Sequence, residues 1–279
     1  MEGSCARALE LGLPSIAFTE HVDLTRWYVP PDVQALATSG EYGLPAQRLA
    51  ARVGADQRIN PAPIDVDGYL EAIARCRAKF PDLRILTGVE LGEPHWFPEQ
   101  SMALLAGGVF DRVLGSLHSL EIAGERREFG ALFRDVANGL VVPPLVPDHA
   151  VRAYLTELVR MVESSDQFAI LAHIDYPIRR WPVEAGDSSP TRFEDEYRAV
   201  LRALAQSGRA LEVNTRIPLH PLIVRWWHEV GGHAVSFGSD AHVPAAVANG
   251  FAEAATMVEA QGFRPGRTPH DFWVRALTR

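Results

Sequence analysis

Short apolar runs that each close on a polar residue recur along this chain, separated by amphipathic stretches. Ser15-Ile16-Ala17-Phe18-Thr19 ends in Glu20-His21, Arg84 to Val89 ends in Glu90, and Arg112-Val113-Leu114-Gly115-Ser116 leads to Leu117-His118. Ala169-Ile170-Leu171-Ala172 closes on His173, Ala210-Leu211-Glu212-Val213 on Asn214, and Val235-Ser236-Phe237-Gly238 enters Ser239-Asp240-Ala241-His242. Runs this short and this apolar predict buried strands. The intervening stretches predict helices: Met1 to Leu13, stopped by Gly12; 69–80, opened near Asp65 and ended by Pro81; 99–107; 150–164; 191–207, ended by Gly208; about 220–230; and 244–261. Strand and helix alternate over the whole length, which implies one α/β domain, 1–279, built on a mostly parallel sheet. Polar residues at the carboxyl ends of the strands favour a barrel, whose sites gather at that rim, over a doubly wound sheet.

Two stretches depart from the alternation. Residues 27–65 are rich in Pro, Gly and small residues (Pro30-Pro31, Gly40, Gly43, Pro45, Pro61, Pro63) and read as an insertion, with a helical turn around 45–53, that is placed to act as a lid. Residues 119–149, with Pro143, Pro144 and Pro147, read as loop.

Composition narrows the function classes. Lys and Arg number 27 against 35 Asp and Glu, a formal charge of −8, which argues against general affinity for nucleic acid or an anionic membrane. The two cysteines, Cys5 and Cys76, have no metal-ribbon spacing and read as reduced structural thiols. No apolar run is long enough to span a bilayer and no signal-peptide layout opens the chain, so a soluble cytoplasmic enzyme is expected.

One strand-terminal histidine is ordinarily a satisfied structural residue. Here His21, Glu90, His118, His173, Asp240 and His242 end five separate predicted strands, and a barrel rim brings such ends together. Asp240 and His242 are two apart, so an extended backbone turns both to one face. A set of nitrogen and carboxylate donors without thiolate suits zinc, manganese or iron. A central Glu can bridge two ions in the geometry used for phosphoester displacement. Arg216, just past the Asn214 strand, is the first candidate for binding a phosphate, with Arg179 or Arg180 next. His220 reads as a surface residue, and His149, His228, His233 and His270 as structural. Trp226 and Trp227 read as packing residues, whereas Trp27-Tyr28 and His95-Trp96-Phe97 are placed to line a substrate pocket.

Thr19-Glu20-His21, Gly88-Val89-Glu90, Gly115-Ser116-Leu117-His118, Ala172-His173-Ile174-Asp175 and Gly238-Ser239-Asp240-Ala241-His242 resemble, in order, the motifs of the PHP (polymerase and histidinol phosphatase) superfamily. Leu211 to Thr215 also resembles the segment before its last motif. The resemblance spans about residues 4–260 and is strongest to the stand-alone histidinol-phosphatase branch. It implies a distorted (β/α)7 TIM-like barrel binding two or three divalent ions. Glu90 would bridge, with His118 and His173 completing one metal; Asp240 would serve a second beside Glu90, and His21 and His242 a third. Glu90, Asp240 and His242 would be the catalytic residues and an ion-activated water the nucleophile. The family opens on a strand bearing His-x-His, and no histidine precedes His21. The expectation is that this first strand is missing from the sequence; a reduced metal site or a non-enzymatic relative would be the alternatives.

The activity implied is histidinol-phosphate phosphatase, converting L-histidinol phosphate and water to L-histidinol and phosphate in histidine biosynthesis. The alternatives are a nucleotide or oligonucleotide phosphoesterase of the same superfamily, which would need a basic track, and a metal-binding protein without turnover. A small phosphorylated metabolite is the expected partner, and the oligomeric state is left open.

Overall fold

Strand β2 (Arg84–Gly92) is buried at every position after Arg84, as a near-continuous apolar run must be when strands flank it and other layers cover both faces. A computed structural model of the protein describes residues 1–29, 51–122, 124–128 and 146–276. In it, β2 lies between β1 (Ser15–Val22) and β3 (Arg112–Ser116), both parallel to it. β3 continues to β6 (Ile170–Leu171), β7 (Ala210–Asn214) and β8 (Ala234–Gly238), all parallel. The sheet order is β1-β2-β3-β6-β7-β8-β10-β9. The last two strands, β9 (Phe263–Arg264) and β10 (Trp273–Arg275), pair antiparallel and are too short to register as a period in the sequence.

Helices α1 (Glu2–Glu10), α2 (Val66–Lys79), α3 (Pro98–Ala106), α4 (Pro147–Ser164), α5 (Glu194–Ser207), α6 (Pro221–Glu229) and α7 (Phe251–Ala260) alternate with the parallel strands. Their boundaries have local causes. Asp65 caps α2 by accepting from the Gly68 amide at 3.0 Å. Three acidic residues open α5, where they favour the positive helix end, and Gly208 closes it at φ 72°. The continuous helix expected over 244–261 is broken. A 3-10 turn at Pro244–Ala246 is followed by left-handed backbone at Ala248 (φ 56°) and Gly250 (φ 71°), and only then by α7.

The largest core packs α4, α5 and α6 on the sheet through residues such as Tyr154, Leu158, Tyr197, Leu204 and Trp227. Trp226 and Trp227 are both buried, and the Trp227 indole N–H donates to the Ala234 carbonyl at 3.0 Å. A second core joins α1 and α2 to β1 and β2 and holds both free cysteines; burial and the neighbouring Cys76 push the Cys5 thiol up to about 12.

The sheet curls on itself. In a flat sheet, the five strand spacings from β1 to β8 would cover about 24 Å. Instead the ring of His21, at the end of β1, lies 5.6 Å from that of His242, beyond β8. This closure is the distorted TIM-like barrel expected, with all parallel strands delivering their carboxyl ends to one rim.

Part of the stretch read as loop over 119–149 is a hairpin: β4 (Ser119–Ile122) pairs antiparallel with β5 (Glu125–Glu128). Only Leu120, buried in the main core, and Ile122, packed against it, mark its apolar face, too few to show as an alternation in an otherwise polar sequence. In the 27–65 insertion, bridges join Tyr28 to Arg58 and Val53 to Ile59; residues 30–50, and with them most of the expected helical turn, lie outside the described residues. None of the described helices is long and apolar enough to cross a membrane.

Candidate metal centre

Glu90 is the hub of the rim. Its Oε1 lies 2.8 Å from His173 Nε2 and 3.2 Å from His118 Nε2, while Oε2 faces His21 Nδ1 at 3.5 Å. His21 and Glu90 sit level because β1 and β2 pair in register at these two residues. His118 and His173 each lie two residues beyond the last residue of their strands, Ser116 and Leu171. Among the described residues three sets of donor atoms gather within 4.8 Å: Glu90, His118 and His173; His21, Asp240 and His242; and His21, Asp23 and His118. All six residues expected from the sequence therefore meet, with Asp240 grouped with His21 and His242.

Two details differ from the sequence reading. Asp240 and His242 converge through a left-handed residue, Asp240 at φ 49°, and not along an extended strand; the His242 Nδ1 to Asp240 Oδ1 distance is 3.5 Å. Asp23 escaped notice. It stands two residues after His21, and the period-two rule that groups Asp240 with His242 would have found it.

The electrostatics follow from burial against pairing. Desolvation alone would raise the Glu90 carboxyl, yet hydrogen bonds from His118 and His173 hold it well below the usual range. Burial pulls His118 down, but Asp23 and Glu90 outweigh it and hold the ring well above 6.5; burial dominates at His173 and lowers it. Burial pushes two further carboxyls, Glu93 and Glu212, up to about 7.

This donor set fits a divalent cation on its own geometry. His118 Nδ1 lies 2.8 Å from Asp23 Oδ1. If that nitrogen donates its proton to the carboxylate, Nε2 turns a lone pair at Glu90 Oε1, and two acceptors then face each other unless a proton or cation lies between. A carboxylate behind an imidazole is how metal-bound histidines are oriented. Glu90 Oε1 meets two ring nitrogens at once, and the Nδ1 atom of buried His173 has no hydrogen-bond partner among the described residues.

The family model for the PHP domain matches residues 1–216. The chain belongs to the PHP domain family. Its sequence is 25% identical over 270 residues to the histidinol-phosphatase of Lactococcus lactis, covering 92% of this chain and 83% of that one. Its fold matches the crystal structure of histidinol phosphate phosphatase from Lactococcus lactis, complexed with zinc, L-histidinol and phosphate, at a TM-score of 0.68 and 21% identity, over 93% of this chain and 86% of that one. A solved chain from Listeria monocytogenes matches at a TM-score of 0.64 and 19% identity, over 90% and 92%.

Of the arginines singled out from the sequence, Arg179 and Arg216 reach the rim of this PHP domain, and the Arg180 side chain lies outside the described residues. Arg179 Nη1 donates to Asp240 Oδ2 at 2.6 Å, with both side chains largely buried, and its Nη2 is buried with no hydrogen-bond partner among the described residues. Arg216 Nη1 lies 3.4 Å from Asp240 Oδ1 and 3.3 Å from His242 Nδ1. His220 caps α6, its Nδ1 accepting from the Leu222 amide at 3.2 Å. His95 and Trp96 pack on α4: both ring nitrogens contact Glu157 Oε1, at 2.8 and 3.0 Å. These bonds hold the β2–α3 loop against the helix; the His95 Nδ1 is buried with no hydrogen-bond partner among the described residues.

Gly238 is required by close approach. A Cβ built there would lie 2.0 Å from Glu212 Oε1. Gly238→Ala is expected to cost about 1–3 kcal/mol as the carboxylate is forced aside, read as a lower urea midpoint at unchanged m-value; a wild-type midpoint would contradict the packing.

Proposed function

We propose that this PHP domain is a metal-dependent phosphoesterase that hydrolyses L-histidinol phosphate to L-histidinol and inorganic phosphate. The observation that carries the reading is one rim holding two histidine–carboxylate groups, the Glu90 one buried and the Asp240 one open to solvent, beside a guanidinium with an unused N–H edge. The likeness to the Lactococcus lactis enzyme over nearly the whole chain supports the substrate.

Glu90, His118 and His173 would hold one ion, and His21, Asp240 and His242 another, with zinc, manganese or iron compatible with the donors. When bound, the ions supply Lewis-acid stabilisation of the phosphoryl oxygens and acidify water. The chain's own groups do the rest. Asp23 fixes the His118 ring. Asp240 holds Arg179 and Arg216 side by side, so that the free Nη2 edge of Arg179 can take a phosphate oxygen and orient the ester. Burial of Glu90 and His173 keeps bulk water from the interior side of the site. Glu90, Asp240 and His242 are thus the residues on which turnover depends. With a formal charge of −8 the chain suits a small phosphorylated metabolite better than a polyanion.

Phosphate release from L-histidinol phosphate, with zinc or manganese supplied and a panel of nucleoside monophosphates in parallel, tests the reading. Turnover confined to histidinol phosphate is expected; release from the nucleotides alone would reassign the substrate, and release from neither would remove the activity.

The metal should compete with a proton. Asp23 and Glu90 hold the His118 ring well above its usual range and so favour its protonated form in the metal-free protein, whereas burial disfavours the proton on His173. Ion affinity is therefore expected to rise with pH above about 6.5, roughly tenfold per unit for one displaced proton, and to level off at the raised value of His118. The stability contribution of His118 in the metal-free protein runs the other way: it is complete below the unfolded value and lost as pH rises through the folded one. Zinc titration in weak buffer with a pH indicator should show about one proton released at pH 7 by the ion that enters the Glu90, His118 and His173 group. A pH-independent affinity would remove His118 from the ligand set.

A further inference from the structure

The geometry points to Glu93 and Glu212 as a matched pair of positioning residues that fix the two buried histidines through their backbone amides, an inference that rests on the metal-centre reading above. Each strand ends two residues short of its histidine, β3 at Ser116 and β6 at Leu171, and a last ladder bond runs from the Ala172 N–H to the Gly115 carbonyl at 3.0 Å. Beyond those points no carbonyl of a neighbouring strand takes up the His118 or His173 N–H. In each case a carboxylate from the adjacent strand does. Glu93, one residue past β2, accepts from the His118 amide at 2.6 Å and the Ser119 amide at 2.8 Å through Oε1. Glu212, in β7, accepts from the His173 amide at 2.7 Å through Oε2.

Both carboxylates are themselves held. Thr25 Oγ1 donates to Glu93 Oε2 at 2.6 Å, and Asn214 Nδ2 donates to Glu212 Oε2 at 3.2 Å. Glu93 is fully buried and sits at φ 47°, with its own N–H donating to the Ser116 carbonyl at 2.9 Å. A non-glycine residue in left-handed backbone at the bottom of a site is strain retained because the surroundings over-determine it. What that strain secures here is the angle at which the Glu93 carboxylate meets two successive amides. Glu212 lies against Gly238, where a side chain has no room. A carboxylate suits both places because it accepts on either oxygen and cannot donate to the amide it faces. The consequence is that the His118 and His173 rings close on one atom, Glu90 Oε1, from two sides.

The test uses cobalt(II), whose visible d–d bands report coordination, with Glu93→Ala, Glu93→Gln, Glu212→Ala and Glu212→Gln in the full chain. Loss of an outer partner of a metal ligand typically costs 10- to 100-fold in metal affinity. Each Ala variant is expected to lose roughly that much cobalt affinity and to shift the d–d bands, with a far-UV spectrum like wild type. The Gln variants keep an acceptor oxygen at the amide and should rescue affinity to within about threefold, against that loss, and restore the bands. In the Ala variants kcat should fall while KM holds, because Arg179 and Arg216 are not displaced. Ala variants with wild-type affinity and bands would overturn the inference. So would Gln variants as impaired as Ala, an outcome that also decides the matter if the Ala chains do not fold. If wild-type protein shows no cobalt bands at all, the metal-centre reading fails first and this inference falls with it.

Discussion

Glu90→Gln is expected to lose on the order of 10³-fold in kcat/KM for phosphate release, the scale seen when one principal transition-state stabiliser is removed. The reason lies in the convergence on its carboxylate. Three imidazoles from β1, β3 and β6 face it, two of them on one oxygen. Gln keeps the size of the side chain but presents at most one neutral acceptor, so the groups that would share an ion lose their common anion. A second readout separates this from simple unfolding. Wild-type protein should gain about 2.7 kcal/mol of stability when zinc is supplied at a hundred times its dissociation constant. The Gln variant should be less stable than wild type in chelator, because His118 loses its partner anion, and should gain from zinc only what the His21, Asp240 and His242 group supplies. A variant that retains the full wild-type zinc-dependent stabilisation would show that Glu90 is not a ligand.

Arg179→Ala should produce two effects of different origin. The ion pair with Asp240 joins side chains that are each 12% exposed. Removing one member leaves Asp240 with Arg216, at 3.4 Å, as its remaining guanidinium. Breaking a buried pair in this way is expected to cost about 3 kcal/mol in the metal-free protein, measured by urea unfolding in chelator. Zinc at the His21, Asp240 and His242 group would replace the lost positive charge and return part of that stability. The second effect is on the substrate. Charged hydrogen bonds contribute about 1.5–3 kcal/mol, so KM for the phosphate ester should rise roughly 10- to 100-fold. Arg179→Lys should restore the charge pairing with Asp240 but not the second N–H, leaving KM raised. An unchanged KM in the Ala variant would make Arg179 a purely structural partner of Asp240.

How far the site was legible depended on the type of signal. Strand ends such as Val89-Glu90 and Ala172-His173 announce themselves because an apolar run stopping at a ligand-type residue is a local pattern. Asp23 carries the same local signal, two residues past His21, but lies in a polar stretch where no apolar run marks it. Glu93 and Glu212 carry none. Nothing in Glu93-Pro94-His95 or Leu211-Glu212-Val213 indicates that a buried carboxylate takes up the amide of a histidine on the next strand, because the partner lies 25 residues away in one case and 39 in the other. The β4–β5 hairpin was missed for a related reason: of its strands, Ser-Leu-Glu-Ile and Glu-Arg-Arg-Glu, only Leu120 and Ile122 meet the core, too few to impose a visible alternation.

The sequence by itself determined the alternation of strands and helices, the buried parallel sheet and the six rim residues, since hydrophobic burial writes its period into neighbouring positions. It also offered Arg216, and Arg179 or Arg180, as the arginines near the rim. Only the tertiary structure decided which donors share which position, that Asp240 meets His242 through a left-handed turn, and that the Arg179 and Arg216 guanidiniums converge on Asp240. It likewise decided that His95 and Trp96 pack on α4 and that His220 caps α6. These outcomes depend on how the sheet curls and on which strand lies beside which, quantities set by contacts between residues far apart in the chain and carried by no local pattern.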